Sequence, residues 1–253
     1  MFNRTSKTTM AVITAAALCF TAVAPANVTY AKAKSVKVIY SIANGDEWIL
    51  EPTTLKVSAD LDDKYADVVG YTDDADEPTM LDATIAAHIA AFGEEKLGFT
   101  AKETEYGGFI TSVGNVETGN VMYYINDSMV NEKGDYYGLD SVIAKKDEIR
   151  LYLIQDQVLL SDIYVFFDKT NIKGKKGSEQ SLTAYYYAFD ADFNSVKTPA
   201  AGLTVTYNGN KVGTTDENGQ VSFKIKKKGF VSAEGTVNDT VIVKPYCIVK
   251  KKG

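Results

Sequence analysis

Short runs of β-branched and aromatic residues, separated by glycine, asparagine and aspartate, fill most of this chain and constrain its fold more than any other feature. One segment departs from the pattern. Between Thr79 and Gly93 the apolar residues recur at helical spacing, Thr79 and Asp82 suit a helix start, and Gly93 suits its end. We therefore predict a mainly β protein in which one helix turns a single apolar stripe towards a sheet.

Residues 1–33 have the order of a secretory signal peptide. Arg4 and Lys7 precede an apolar run from Met10 to Ala24, and small residues suited to cleavage follow before Lys34. The run is shorter than the roughly 20 residues that span a membrane, and no second such run follows. We expect a secreted protein, extracellular or associated with the cell surface, with no membrane span in the mature chain. Its one remaining thiol, Cys247, is expected to be buried.

Charge divides the mature chain. Residues 34–156 carry 24 acidic and 10 basic side chains, whereas residues 157–253 carry 9 acidic and 14 basic ones. We predict two domains, 34–157 and 158–253. The first domain would repel phosphates, and the lysines of the second domain are scattered along the sequence, so we expect no nucleic-acid partner.

The acidic segment from Asp60 to Glu77 reads as an exposed loop, and its spacing does not match a calcium-binding loop. His88, the one histidine, is expected to be partly covered on the helix face, and a site with several histidines is excluded. We predict no metal and no cofactor. An enzyme would have to use a carboxylate pair such as Asp73 and Glu77, or Asp147 and Glu148. Adjacent acids in exposed loops are more simply explained as solvated surface charges than as catalytic groups. We predict that the protein is not an enzyme.

Two strand-like runs lie between Tyr106 and Asp127 and are predicted to pair as a hairpin. In the second run, Val121, Tyr123 and Ile125 alternate with Met122, Tyr124 and Asn126. We expect one set to meet the helix and the other to be free as a recognition surface.

The segments "TMLDA", "GGFITSVGN", "MYYIND" and "YYGLDSVIAKKDEI" occur in an order that resembles the bacterial domain family similar to the C-terminal β domain of transcobalamin and intrinsic factor. The resemblance covers roughly Val36 to Gln157. It implies a β-grasp-like sheet with one helix and a ligand-binding role. Val121 stands where that family usually has tryptophan, which removes an aromatic platform and weakens a corrinoid as the ligand.

The last 96 residues contain six strand-like runs separated by turn residues, which predicts a β-sandwich. The segment "TTDENGQVSF" resembles the Ig-like repeats of bacterial surface proteins. The predicted fold class is thus an α+β domain followed by an all-β Ig-like sandwich. Modules of the second kind usually space or display other domains.

These observations predict a secreted, non-enzymatic extracellular binding protein. Its partner is expected to be a small molecule or an extracellular protein, held by exposed aromatic residues: Tyr124, Tyr136 and Tyr137, with Trp48 as an outside candidate. The alternative is a cell-surface adhesion or spacer component with no small-molecule ligand.

Overall fold

The computed structural model describes residues 34–118, 120–156, 158–192 and 194–252. The predicted signal peptide, with Cys19, lies outside these residues. The described part of the chain is mainly β, with 51% of its residues in strands and 12% in helices, so the predicted fold class is confirmed at that level. Within the described ranges, no helix is both long enough and apolar enough to cross a membrane.

The first half, residues 34–156, contains seven strands and two α-helices in its described part. In chain order they are β1 (Ser35–Asn44), β2 (Glu47–Ser58), α1 (Leu61–Val69), α2 (Met80–Phe92), a 3-10 turn (Glu94–Lys96), β3 (Phe99–Thr104), β4 (Gly107–Val113), β5 (Val116–Glu117), β6 (Val121–Ile125) and β7 (Glu148–Leu153). The main sheet has the order β2-β1-β7-β6, and a smaller sheet has the order β3-β4-β5.

The strands of the main sheet differ in burial: β2 exposes several of its residues, whereas Ile149–Leu153 of β7 are all buried because β7 lies between β1 and β6. β1 pairs antiparallel with β2 and parallel with β7, and β6 closes the edge antiparallel to β7. Val38, Tyr40 and Ile42 on β1 are at most 1% exposed and meet the core of this half. A parallel pair needs a long connection, and the chain between β1 and β7 supplies it with both helices and the smaller sheet.

The acidic segment 60–77 is not wholly a loop, so that prediction is wrong for its first part. Leu61, Tyr65 and Val69 lie four residues apart, which places them on one side of α1. Tyr65 and Val69 are buried in the core. The acidic residues between them make the segment mainly polar, so its helical spacing was not recognised in the sequence. Gly70 ends the helix at a φ of 81°, which glycine tolerates.

Helix α2 begins and ends as the sequence predicts. The Thr79 hydroxyl accepts from the Asp82 N–H, and the Asp82 side chain accepts from the Thr79 N–H, which makes a capping box. The single apolar stripe is wrong, however. Leu81, Ala83 and Ile85 are all fully buried, because α2 is covered by β2, β1 and α1 together.

The hairpin predicted between Tyr106 and Asp127 does not form as one unit. Its first run is β4, which pairs with β3 and β5, whereas its second run is β6, which pairs with β7 in the main sheet. Neighbouring runs often pair, but here the edge of β7 offers β6 five register partners.

The second half, residues 158–252, contains eleven strands in its described part. They are β8 (Ile163–Phe167), β9 (Asn171–Gly174), β10 (Glu179–Phe189), β11 (Ser195–Pro199), β12 (Thr204–Tyr207), β13 (Asn210–Thr214), β14 (Gln220–Lys224), β15 (Gly229–Glu234), β16 (Thr236–Val237), β17 (Thr240–Val243) and β18 (Tyr246–Lys251).

These strands form two sheets around one core. The first has the order β11-β10-β8-β17-β16 with β14 beside β10, and the second has the order β13-β12-β15-β18-β9. Cys247 is fully buried and free, and burial raises the pKa of its thiol to about 12, as expected for a structural cysteine. Residues from 34 onwards pack as one compact unit, and the boundary between 157 and 158 stays a prediction.

Candidate functional site

Four aromatic side chains were predicted to hold a ligand, and two of them lie in a third buried cluster. We call this cluster the junction because it joins residues of both halves. Its buried members are Ala43, Tyr124, Tyr152 and Val243, and its partly buried members are Trp48, Met122, Met129 and Tyr164.

Tyr124 is only 3% exposed, so the prediction that it is exposed is wrong. Its ring stacks on Tyr164 of β8, with centroids 3.8 Å apart and planes 15° apart. Strand β6 alternates as predicted, with Val121, Tyr123 and Ile125 packed on the first core. The other face is not free, because the second half covers it.

Arg150 holds the junction together electrostatically. This β7 side chain is 4% exposed, and its Nη1 lies 2.6 Å from the Asp127 Oδ1 and donates to the Tyr164 hydroxyl at 2.6 Å. Its guanidinium also lies 4.4 Å from the centre of the Tyr246 ring. Burial alone would lower the pKa of Arg150, but Tyr164 and Asp127 outweigh it and raise that pKa. The arginine therefore stays charged inside the protein.

Trp48 also belongs to the junction. Its ring meets Phe230 edge-on at 5.9 Å, and the Lys244 ammonium lies 5.4 Å from its centre. Lys244 is itself buried and donates to the Asp46 carbonyl at 2.5 Å and to the Glu234 carboxylate at 3.2 Å. Trp48 thus has a packing role, and a ligand role for it stays a prediction.

The other two predicted residues lie in the loop before β7. Tyr136 is 76% exposed, whereas Tyr137 is half-buried against the first core, with its N–H donating to the Met129 carbonyl at 3.0 Å. The structure does not bring the four predicted residues together. Their ligand role stays a prediction.

An open cleft of about 810 Å³ lies beside the end of α1 and is lined mostly by acids and small residues. Tyr71 donates to Asp140 across it at 2.6 Å, and burial raises the pKa of Asp73 on its wall. Glu77, the predicted partner of Asp73, instead forms an ion pair with Lys34 at 2.7 Å. Among the described residues, no group of three or more potential ligands is arranged to hold a metal ion.

The second predicted carboxylate pair has a structural setting. Asp147 accepts from the Asn126 side chain at 2.9 Å and from the Ala144 N–H at 2.7 Å, which fixes the turn before β7. Glu148 is half-buried, and burial raises its pKa. That the protein is not an enzyme stays a prediction.

The outer side of the sheet β8-β10-β11 carries an aromatic patch whose residues are not among the predicted site residues, because a tyrosine run on a strand is more often packed on both faces. We call it the aromatic face and define it as Phe166, Tyr185, Tyr187 and Phe189, with Lys197 beside them. The Phe166 ring lies 5.3 Å from Tyr187 and 6.1 Å from Tyr185, and the Lys197 ammonium lies 3.9 Å from the Tyr185 ring. Tyr187 is 57% and Phe189 is 74% exposed.

A signal for this face was present in the sequence. The run "AYYYAF" places Tyr186 inward, at 9% exposure, and sends Tyr185, Tyr187 and Phe189 to the opposite side. An outer sheet face is usually polar, so three outward aromatics at alternate positions depart from the rule.

No protein-family model matches the chain, and no curated protein matches it. Among solved structures it is similar to the N-terminal four Ig domains of Dscam1 isoform 9.44, at 13% identity and a TM-score of 0.25, over 60% of this chain and 36% of that one. It is also similar to the ectodomain of the teleost fish polymeric Ig receptor, at 11% identity and a TM-score of 0.18, over 61% and 74%.

The chain therefore spans about a third of the Dscam1 fragment. At these TM-scores the two similarities indicate no function for this chain. The transcobalamin-like interpretation of the first half is not confirmed and stays a prediction.

Proposed function

We propose that this chain is a secreted, non-enzymatic binding protein that docks another extracellular protein on its aromatic face. The supporting observation is the exposure of Tyr187 and Phe189 on the outer side of a sheet whose inner side is already packed. Contiguous exposed aromatic surface is typical of interaction sites, and aromatic residues are enriched in protein interfaces.

A protein partner fits this surface better than a small molecule does. Small ligands are usually enclosed by concave, mostly apolar pockets. The aromatic face is one side of a sheet, and the cleft of about 810 Å³ in the first half is open and lined by acids such as Asp67 and Asp73. The aromatic residues Tyr124 and Trp48 are committed to the junction.

The alternative function, an adhesion or spacer component, draws support from the junction. Arg150 is bound to residues of both halves, and the Tyr152 hydroxyl donates to the Ile242 carbonyl at 3.2 Å. Such contacts hold the halves at a fixed orientation, which suits a spacer. The two functions are compatible, because a rigid spacer positions a docking face.

The experiment compares the mature protein with a Tyr187→Ser/Phe189→Ser variant for binding to intact cells of the source organism. The assay runs at about 0.5 M salt, where weak electrostatic adsorption is screened. A Tyr106→Ser/Val142→Ser variant is the matched control, because these side chains are 91% and 55% exposed in the first half and neither is a predicted site residue.

We expect the parent and the control to bind, and the Tyr187→Ser/Phe189→Ser variant to lose binding. Protease treatment of the cells should abolish binding of the parent. Equal binding by both variants would refute the docking face. Mass spectrometry of the culture medium tests secretion, with a mature N-terminus expected between Tyr30 and Lys34.

A further inference from the structure

Lysines that are scattered in the sequence gather at one end of the second half. Residues 173–176 contain three lysines, residues 224–228 contain four and residues 250–252 contain three, and all ten are exposed. They make up most of the 14 lysines of this half. We call these three segments together the lysine end.

Backbone hydrogen bonds hold the three segments against one another. The Lys252 N–H donates to the Gly174 carbonyl at 2.9 Å, and the Gly177 N–H donates to the Ile225 carbonyl at 2.7 Å. The Ile225 N–H in turn donates to the Ser178 carbonyl at 3.0 Å. The lysine end is therefore a fixed part of the fold and not a chance approach of flexible turns.

Two further features fix its geometry. Gly174 permits the close approach, because a Cβ there would lie 2.6 Å from the Ile225 Cδ1. The turn after β14 is anchored where the Tyr207 hydroxyl hydrogen-bonds to the backbone of Lys227. The lysine backbones are thus positioned before any ligand arrives.

The positive charge of this end is only partly compensated. Among the described residues, no ion pair involves any of its ten lysines. Two acids lie near its lysines: Glu179 is the register partner of Lys224, and Glu148 is close enough to Lys250 for that lysine to lower its pKa. Clustered like charges repel each other and do not favour folding. An external anion would relieve this repulsion.

We propose that the lysine end binds a linear phosphodiester polymer of the polyol-phosphate kind at the cell envelope. Lysine is a compact point charge that attracts phosphate without demanding a fixed paired geometry. The rings beside the segment 224–228, Tyr207, Phe223 and Phe230, are at most 7% exposed, so none of these described rings can stack on a base. Recognition by charge alone suits a polymer without aromatic groups.

The placement of the lysines favours a flexible chain over a membrane. Lys173 and Lys250 are register partners on the outer side of one sheet, whereas Lys224 points outward from the strand beside β10 in the other. A polymer can follow this surface around the end of the sandwich, but a flat bilayer meets one side of it. None of the exposed large apolar side chains in the described ranges belongs to the three segments, so no apolar anchor for a bilayer accompanies the charge.

This choice of polymer rests on the extracellular location proposed above, whereas the test is made in solution. Lipid-free poly(glycerol phosphate) carrying a fluorescent end label is titrated with the mature protein at salt concentrations from about 50 to 400 mM. The test variant is Lys226→Gln/Lys227→Gln/Lys228→Gln. The control is Lys56→Gln/Lys145→Gln/Lys211→Gln, which removes the same charge from exposed sites elsewhere.

We expect the parent and the control to bind the polymer with an affinity that falls as salt rises. The test variant should bind about a hundredfold more weakly, with the slope of log affinity against log salt reduced by about two. Equal losses in both variants, or no binding by the parent, would overturn the proposal. Tighter binding to phosphatidylglycerol vesicles, duplex DNA or polyglutamate at equal anion concentration would overturn the choice of polymer.

The two proposals fail separately. The cell-binding assay at high salt reports the aromatic face, and the titration reports the lysine end. Retention of the signal segment in the cell fraction would remove the extracellular location without changing the titration.

Discussion

Replacing Arg150 by methionine tests whether the junction couples the two halves. Methionine keeps much of the length of the side chain and removes its charge. It leaves the Asp127 carboxylate and the Tyr164 hydroxyl without their shared partner. It also removes the cation above the Tyr246 ring. We expect the junction to open before the rest of the protein unfolds.

The size of the effect follows from the geometry. Removing one member of a buried ion pair costs about 3–5 kcal/mol. The Asp127 side chain is 25% exposed and regains some hydration, so the lower end applies, at about 3 kcal/mol. Loss of the cation–π contact with Tyr246 adds about 1 kcal/mol. With an m-value of about 2 kcal/mol/M in urea, a total of about 4 kcal/mol moves the midpoint by about 2 M.

The assay follows urea unfolding by two signals. Trp48 is the one tryptophan of the chain and lies in the junction, so its fluorescence reports that cluster, whereas far-UV circular dichroism reports the strands of both halves. The signals should coincide for the parent and for an exposed-site control, Lys145→Met. In Arg150→Met the fluorescence change should come first. Coincident signals at the parent midpoint in this variant would refute coupling through Arg150.

Three other outcomes follow from the structure. Burial lowers the pKa of His88 from 6.5 to about 4, so as the pH falls the unfolded state takes up the proton before the folded state does. The parent should therefore lose about 3 kcal/mol of stability between pH 6.5 and pH 4. Asp82, whose pKa is raised to about 6, gives the opposite slope. The urea midpoints of the parent and of His88→Gln are compared at pH 7 and pH 4.5, because Asp82 is present in both proteins and cancels. The midpoint of the parent should fall further between the two pH values, and an equal fall in both proteins would contradict a buried neutral histidine. Gly174→Ala should cost about 1–3 kcal/mol through overpacking, seen as a lower melting temperature, and an unchanged value would mean that the turn relaxes. Tyr136→Ala should change stability by less than about 0.5 kcal/mol, whereas Tyr137→Ala should cost about 1–2 kcal/mol in urea unfolding, and equal effects would contradict their different burial.

Features set by neighbouring residues were predictable from the sequence. The start and end of α2 depend on Thr79, Asp82 and Gly93, which act within a few residues of one another. The alternation of β6 and the burial of Cys247 were predictable for the same reason. His88 was expected to be partly covered but is fully buried, stacked 5.0 Å from Phe99. His88 is covered by β3, and the sequence of α2 does not indicate where β3 packs.

Features set by distant pairing were not predictable. The lysine end exists because β9 pairs in parallel with β18, which places Lys173 beside Lys250 across 77 residues of chain. The exposed aromatic face depends on β8 lying beside β10, which brings Phe166 next to Tyr185. A sequence pattern gives the direction of a side chain along a strand but does not identify the neighbouring strand.

The junction and the aromatic face are parts of one row of rings. From Tyr124, the row passes to Tyr164 at 3.8 Å, to Phe166 at 6.3 Å and to Tyr187 at 5.3 Å. Its buried end is held by the stack and by Arg150, whereas its outer end is exposed to solvent. Because one end of the row is already fixed, the rings at its exposed end should lose less conformational freedom when a partner covers them, which favours binding. The β6 face that was predicted for recognition, with Met122 and Tyr124, is thus packed in the junction, and the exposed rings of the row lie on the second half.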